Sequence, residues 1–307
     1  MNMTALAAAV IAAVFAIGMG GLLFINGDGD DKDTISVTMG WEKDIVEEIV
    51  GDNYRVVSMM GSNVSPHEAY STPSNISDLY GSVMYFKIGT GVEWETVFFD
   101  SVTRDIPSSV KIIDISSSIE YFPLPNTHHH HDDGDDHEEE SATDPHIWTS
   151  PDILRKVAAL VADVVSEADP IHASEYASNL KAYEARADAV DEKMAAIASK
   201  VGDAHVHVMV WHPAWQYLIE QYVARFGADL HQESVEEDGE VSPAEAVAIV
   251  RGEGCRSVYV STTDEGYEGR AALTEAGIAV HVVNPTADDM LSSVSEFLSF
   301  LESDLEV

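Results

Sequence analysis

The chain has 307 residues, with 16 Lys and Arg against 54 Asp and Glu, a formal net charge of -38. That charge repels a phosphate backbone, which excludes most nucleic-acid roles, and argues against docking on an anionic membrane through a basic patch. With 45% hydrophobic residues the chain can still build real cores, over two domains or one large α/β domain, and its acid excess suits a saline setting that screens self-repulsion. In chain order, residues 5–25 are apolar, small or Gly, without charge or Pro. As a helix they just span a hydrocarbon core of about 30 Å. No Lys or Arg precedes the run, no lipobox Cys follows it, and Asp28, Asp30 and Asp31 do. This favours a retained single-span membrane anchor over a cleaved signal segment, with the remainder extracytoplasmic. Residues 26–33 form a Gly/Asp linker that closes the 1–33 segment.

Beyond it, short β-rich runs alternate with amphipathic stretches. Strands are expected at 34–40, 54–60, 83–88 and 111–115, with helices at 42–50, 75–80 and 93–99 between them. Such β-α units imply a parallel, doubly wound sheet. Residues 126–140, with HHHHDDGDDHEEE, are almost devoid of apolar side chains and read as a surface loop. Helical periodicity covers 151–167. It returns over 173–200, where Leu180, Tyr183, Ala187, Val190, Met194 and Ile197 recur at spacings of three and four. Strands then follow at 205–211, 228–232, 257–260 and 279–283, alternating with helices at 215–226, 243–251, 269–276 and 288–301. The expected fold is α/β: two doubly wound parallel-sheet lobes, 34–170 and 201–307, joined by one long rigid helix within 171–200 that allows little relative motion.

The single cysteine, Cys255, excludes an intrachain disulfide framework and a cysteine-rich zinc cluster, whereas thirteen histidines are present. In open α/β sheets ligands collect beyond the carboxyl ends of strands. His67 in SPHEAY follows the second strand, His146 in DPHIW precedes a helix, and His212 in VWHPAW ends the first strand of the second lobe. Each stands beside a proline that stiffens its backbone. Imidazoles drawn from both lobes favour Zn2+ over harder ions such as Mn2+ or Ca2+. A fourth position is open to Glu265, to Asp264 or to water, with Glu265 preferred. His205 and His207 alternate along one strand and read as structural, and His231 and His281 carry no second cue.

PHEAYSTPSNISDL, DPHIWTSPDILRKVA, DPIHASEYASNLKAYEARADAVDEKM and WHPAWQYLIEQYVARFG together resemble the zinc-uptake type of solute-binding protein, the metal-binding component of zinc or manganese ABC importers. The resemblance runs from about residue 34 to about 302. It implies ligands at the positions of His67, His146 and His212, with histidine at the third as the zinc-like choice. It also implies a metal held between two lobes, a monomer, and delivery of Zn2+ to an ABC permease served by an ATPase. A His- and acid-rich loop before the second ligand motif is typical of zinc members, and 126–140 stands there. Ser65-Pro66 replaces the family's Asp-Pro, and STTDEGYEGR matches the fourth-ligand region poorly. A zinc-dependent hydrolase and a metal-dependent surface adhesin are the alternatives; the first lacks HExxH and an evident general base beside a ligand.

Overall fold

β1 (Thr34–Val37) reads TISV and is buried at every residue, as a parallel strand covered on both faces must be. It lies between β2 (Arg55–Ser58) and β3 (Met84–Lys87), and β4 (Lys111–Asp114) completes a parallel sheet of order β2-β1-β3-β4. The second sheet repeats that order as β6-β5-β7-β8, from β5 (His205–Val210), β6 (Asp229–Ser234), β7 (Ser257–Val260) and β8 (Ala279–Val282). The computed structural model describes residues 32–61, 64, 72–99, 106–124, 143–236, 241–263 and 265–306. The 5–25 segment, His67, the 126–140 run and Asp264 lie outside the described residues. Among the described residues, no helix is long and apolar enough to cross a membrane.

Besides a single turn at Ile115–Ser118, the helices among the described residues are α1 (Gly40–Val50), α2 (Pro73–Gly81), α3 (Pro151–Ala168), α4 (Ala173–Val201), α5 (Pro243–Gly252), α6 (Glu265–Glu275) and α7 (Met290–Asp304). α4 has 29 residues, about 43 Å at the helical rise. Tyr176, Tyr183, Ala187, Val190, Met194 and Ile197 form its buried stripe, and it packs against α1, α3 and α7. One hydrophobic core therefore runs from Ile35 and Phe86 of the first sheet, through α4, to Val210 and Phe297 of the second lobe. A smaller core on the other face of the second sheet gathers Met209, Trp211, Val250, Val258 and Leu273.

Boundaries shift for local reasons. α2 starts at Pro73 because Thr72 caps it through the Asn75 amide. α7 starts at Met290 because Asp289 accepts from the Ser292 amide, two residues later than periodicity suggests. The expected helix at 215–226 is a π-helical turn, Tyr217–Tyr222, running into a 3-10 turn, Val223–Phe226. The stretch Trp94–Phe99 is also π-helical. Apolar periodicity cannot separate these wider and tighter turns from an α-helix, whereas their backbone bonding can.

Candidate metal centre

His212 lies two residues beyond the end of β5, before Pro213, which biases it towards extended backbone. β5 and β6 stay in register past their ends. Val210 pairs with Ser234, the Val235 amide bonds the Val210 carbonyl at 3.0 Å, and the Glu236 amide bonds the Trp211 carbonyl at 3.0 Å. That register brings Glu236 beside His212, and its Oε2 lies 3.3 Å from His212 Nδ1.

His146 reaches the same place from the first lobe. It caps the 3-10 turn Ile147–Thr149, ahead of α3, and is 3% exposed. Asp144, itself buried, accepts from the His146 amide at 2.9 Å and sits 2.7 Å from His146 Nδ1. The His146 and His212 rings meet edge to face, centroids 5.4 Å apart and planes at 81°. Two imidazoles bound through Nε2 to one tetrahedral Zn2+ have centroids about 5 Å apart. With each Nδ1 turned to a carboxylate, Nε2 is the ring nitrogen on the opposite side, where a metal would be met. A carboxylate behind a ligating imidazole fixes its orientation and raises its basicity.

Supports from both lobes hold this arrangement. The Trp148 indole donates to the Pro285 carbonyl at 2.6 Å, and its ring stacks on Trp41 at 5.9 Å and meets His146 edge-on at 5.3 Å. The Tyr217 hydroxyl, from the π-helical turn, donates to the Asp144 carbonyl at 3.2 Å and accepts from the Leu124 amide at 3.1 Å. Thr90 Oγ1 donates to the Pro145 carbonyl at 2.9 Å. The loop before Thr90 is tied down by Glu95, which accepts from the Ile88 and Gly89 amides, each at 2.7 Å, and from Thr38 Oγ1 at 2.6 Å. Burial pushes the Glu95 carboxyl above the usual range.

Of the four residues singled out in the sequence, the structure thus brings His146 and His212 together. Glu265 opens α6, and its side chain is outside the described residues, as His67 is. Asp144 and Glu236 escaped the sequence reading. Asp144 had a local signal, an acid two residues before a histidine, which can turn back onto that histidine's amide. Glu236 had none, because its place depends on the β5–β6 register. His281, set aside earlier, serves the fold: its Nε2 lies 2.9 Å from Asp304 Oδ1 and its ring stacks on Phe300 at 4.4 Å.

Residues 35–307 match the family model ZnuA, described as zinc-uptake complex component A, periplasmic. The manganese-binding lipoprotein MntA of Halalkalibacterium halodurans is 23% identical over 225 residues, covering 72% of this chain and 68% of that protein. Among solved structures, the chain is similar to a crystal structure of ZnuA with a TM-score of 0.70 and 21% identity, over 89% of this chain and 99% of that one. It is also similar to the periplasmic zinc-binding protein TroA of Treponema pallidum, with a TM-score of 0.67 and 17% identity, over 90% and 99% of the two chains. At these identities the structural likeness establishes the two-lobed fold.

Proposed function

The chain belongs to the periplasmic zinc-uptake component A family of metal-binding solute-binding proteins, and from that premise we propose that it captures Zn2+ between its lobes and hands it to an ABC permease driven by a partner ATPase. The observation that carries this reading is the meeting of His146 and His212 at 5.4 Å between ring centroids, one from each half of the molecule. In this reading 34–170 and 201–307 are the two lobes, 171–200 is the link, and the N-terminal segment anchors the protein outside the cytoplasm. His67 supplies a third imidazole, and Glu265, Asp264 or water completes a tetrahedron. Zn2+ exchanges most of its hydration shell for these donors, which a stiff, pre-oriented pair makes favourable. The family is one of transport proteins and not of enzymes. The carboxylates next to the two imidazoles are engaged with Nδ1 atoms, which fits capture better than general-base chemistry on a bound water.

Metal analysis of protein purified without added metal, followed by titration with Zn2+ and with Mn2+, tests this reading. The wild-type chain should retain Zn2+ and prefer it, and His67→Ala, His146→Ala and His212→Ala should each abolish the tightest binding. Tight Zn2+ binding that survives both His146→Ala and His212→Ala would overturn the site. A preference for Mn2+ would overturn the choice of cargo.

A further inference from the structure

The second sheet carries another cluster of metal-binding side chains, at the other end of β5. Val208 and Val210 point into the larger core, while Met209 and Trp211 point into the smaller one. By strand alternation His205 and His207 share the smaller-core face. β6 is the edge strand, and its register sets His231 opposite His207 and Asp229 opposite His205. The three imidazoles close into a triangle, with centroids 4.8 Å apart for His205–His207, 6.0 Å for His207–His231 and 6.1 Å for His205–His231. Carboxylates interleave them. His207 Nδ1 lies 2.8 Å from Glu233 Oε1, His205 Nδ1 lies 2.9 Å from Asp229 Oδ2, and His231 Nε2 lies 3.9 Å from Glu233 Oε1.

Glu253 arrives from a different element. It caps the C-terminal end of α5, and a helix crossing between parallel strands runs back to their amino ends, where His205 and His207 stand. Ligand atoms of His207, Glu233 and Glu253 all lie within 4.8 Å of one another. Donors around a tetrahedral Zn2+ are about 3.3 Å apart, so side-chain rotation alone closes the gap. The negative end of the α5 dipole adds to the attraction for a cation. We propose that His207, Glu233 and Glu253, with His231 as the fourth donor, form a second site for a divalent cation of the Zn2+ class. His207 and His212 are five positions apart, His207 inside β5 and His212 two residues past its end, about 16 Å at the strand rise, so this site is spatially separate from the His146–His212 pair and does not depend on it. His207 and Glu233 are only partly buried, at 34% and 22% side-chain exposure, so the second site binds more weakly and exchanges with solvent.

Equilibrium dialysis of the full chain against micromolar Zn2+ tests the proposal, comparing wild type, His207→Ala/His231→Ala and His146→Ala/His212→Ala. The first double variant should bind one equivalent fewer and keep the tightest class. The second should lose the tightest class and keep the equivalent that the first one loses. Circular dichroism confirms that both variants are folded, and zinc-edge anomalous scattering from crystals of the wild type should place a peak among His207, Glu233 and Glu253. An unchanged stoichiometry in a folded His207→Ala/His231→Ala variant, or no anomalous peak there, overturns the second site. Failure of the interlobe site alone would show as loss of the expected effect in the other variant.

Discussion

Orientation at the level of single residues governs how well the His146–His212 pair can hold a metal. A free imidazole chooses between two tautomers and rotates. His146 does neither freely, because Asp144 contacts both its amide and Nδ1 from a position only 2% exposed. Replacing Asp144 by Ala removes the acceptor that selects Nε2 for the metal, and loss of such a partner typically weakens affinity by about 10–100-fold. Asp144→Asn keeps an oxygen acceptor but discards the charge, so its loss should be smaller. Glu236→Gln should be milder again, since the Glu236–His212 contact is longer at 3.3 Å and more exposed. Competition against a chromogenic zinc chelator ranks the three. Wild-type affinity in Asp144→Ala would show that the carboxylate does not orient the ligand.

Elements of the two lobes meet beside Gly40. It is the first residue of α1, following β1 at its carboxyl end, and a Cβ built there would collide with the Asp288 carboxylate. Asp288 stands just before α7, so a second-lobe carboxylate rests on the positive end of a first-lobe helix. Gly40→Ala forces that carboxylate aside and should cost about 0.5–2 kcal/mol, the range of a lost helix-terminal interaction. Asp288→Ala should cost a similar amount, and Gly40→Ala added to it should be nearly neutral. Urea unfolding of the four chains measures the cycle, and simple additivity would mean that the two residues do not act through each other. Neither residue could be paired from sequence, because the contact depends on how the lobes dock. What could be read was local or periodic. The α4 stripe from Tyr183 to Ile197, the strand alternation and the DPHIW turn need only neighbours in the chain. Glu236, the His207–His231 pairing and the π-helical turn at Tyr217 needed strand register or backbone bonding, which a single sequence does not display. His205 and His207 read from sequence as structural, and only the β5–β6 register sets them beside His231 and Glu233.

At the scale of the whole molecule, an excess of 38 negative charges presses on the places where carboxylates converge. One of them is around Arg186 of α4. It bonds both Asp289 oxygens, at 2.6 and 2.7 Å, and also pairs with Glu48 of α1, joining both lobes to the linking helix. Asp44 stands in the same cluster, and its carboxyl is pushed up to about 7 by burial, then by Glu48 and Asp289, with Arg186 pulling the other way. A carboxyl raised in the folded state favours the protonated form there. Its contribution is therefore full below about pH 4, the unfolded value, and is lost as pH rises through about 7. Asp44→Asn should flatten that decline and leave the variant more stable than wild type at pH 8, by on the order of 1 kcal/mol after allowance for solvent screening. Salt should act in the same direction, because the screening length falls from about 10 Å at 0.1 M to about 3 Å at 1 M. Melting temperature in KCl, a salt chosen because sulfate would also strengthen apolar burial, should rise with concentration at pH 8. The rise should be smaller in Asp44→Asn, since one of the repelling charges is already gone. A wild-type melting temperature that falls with KCl, or is indifferent to pH between 4 and 7, would show that repulsion at this junction does not limit stability.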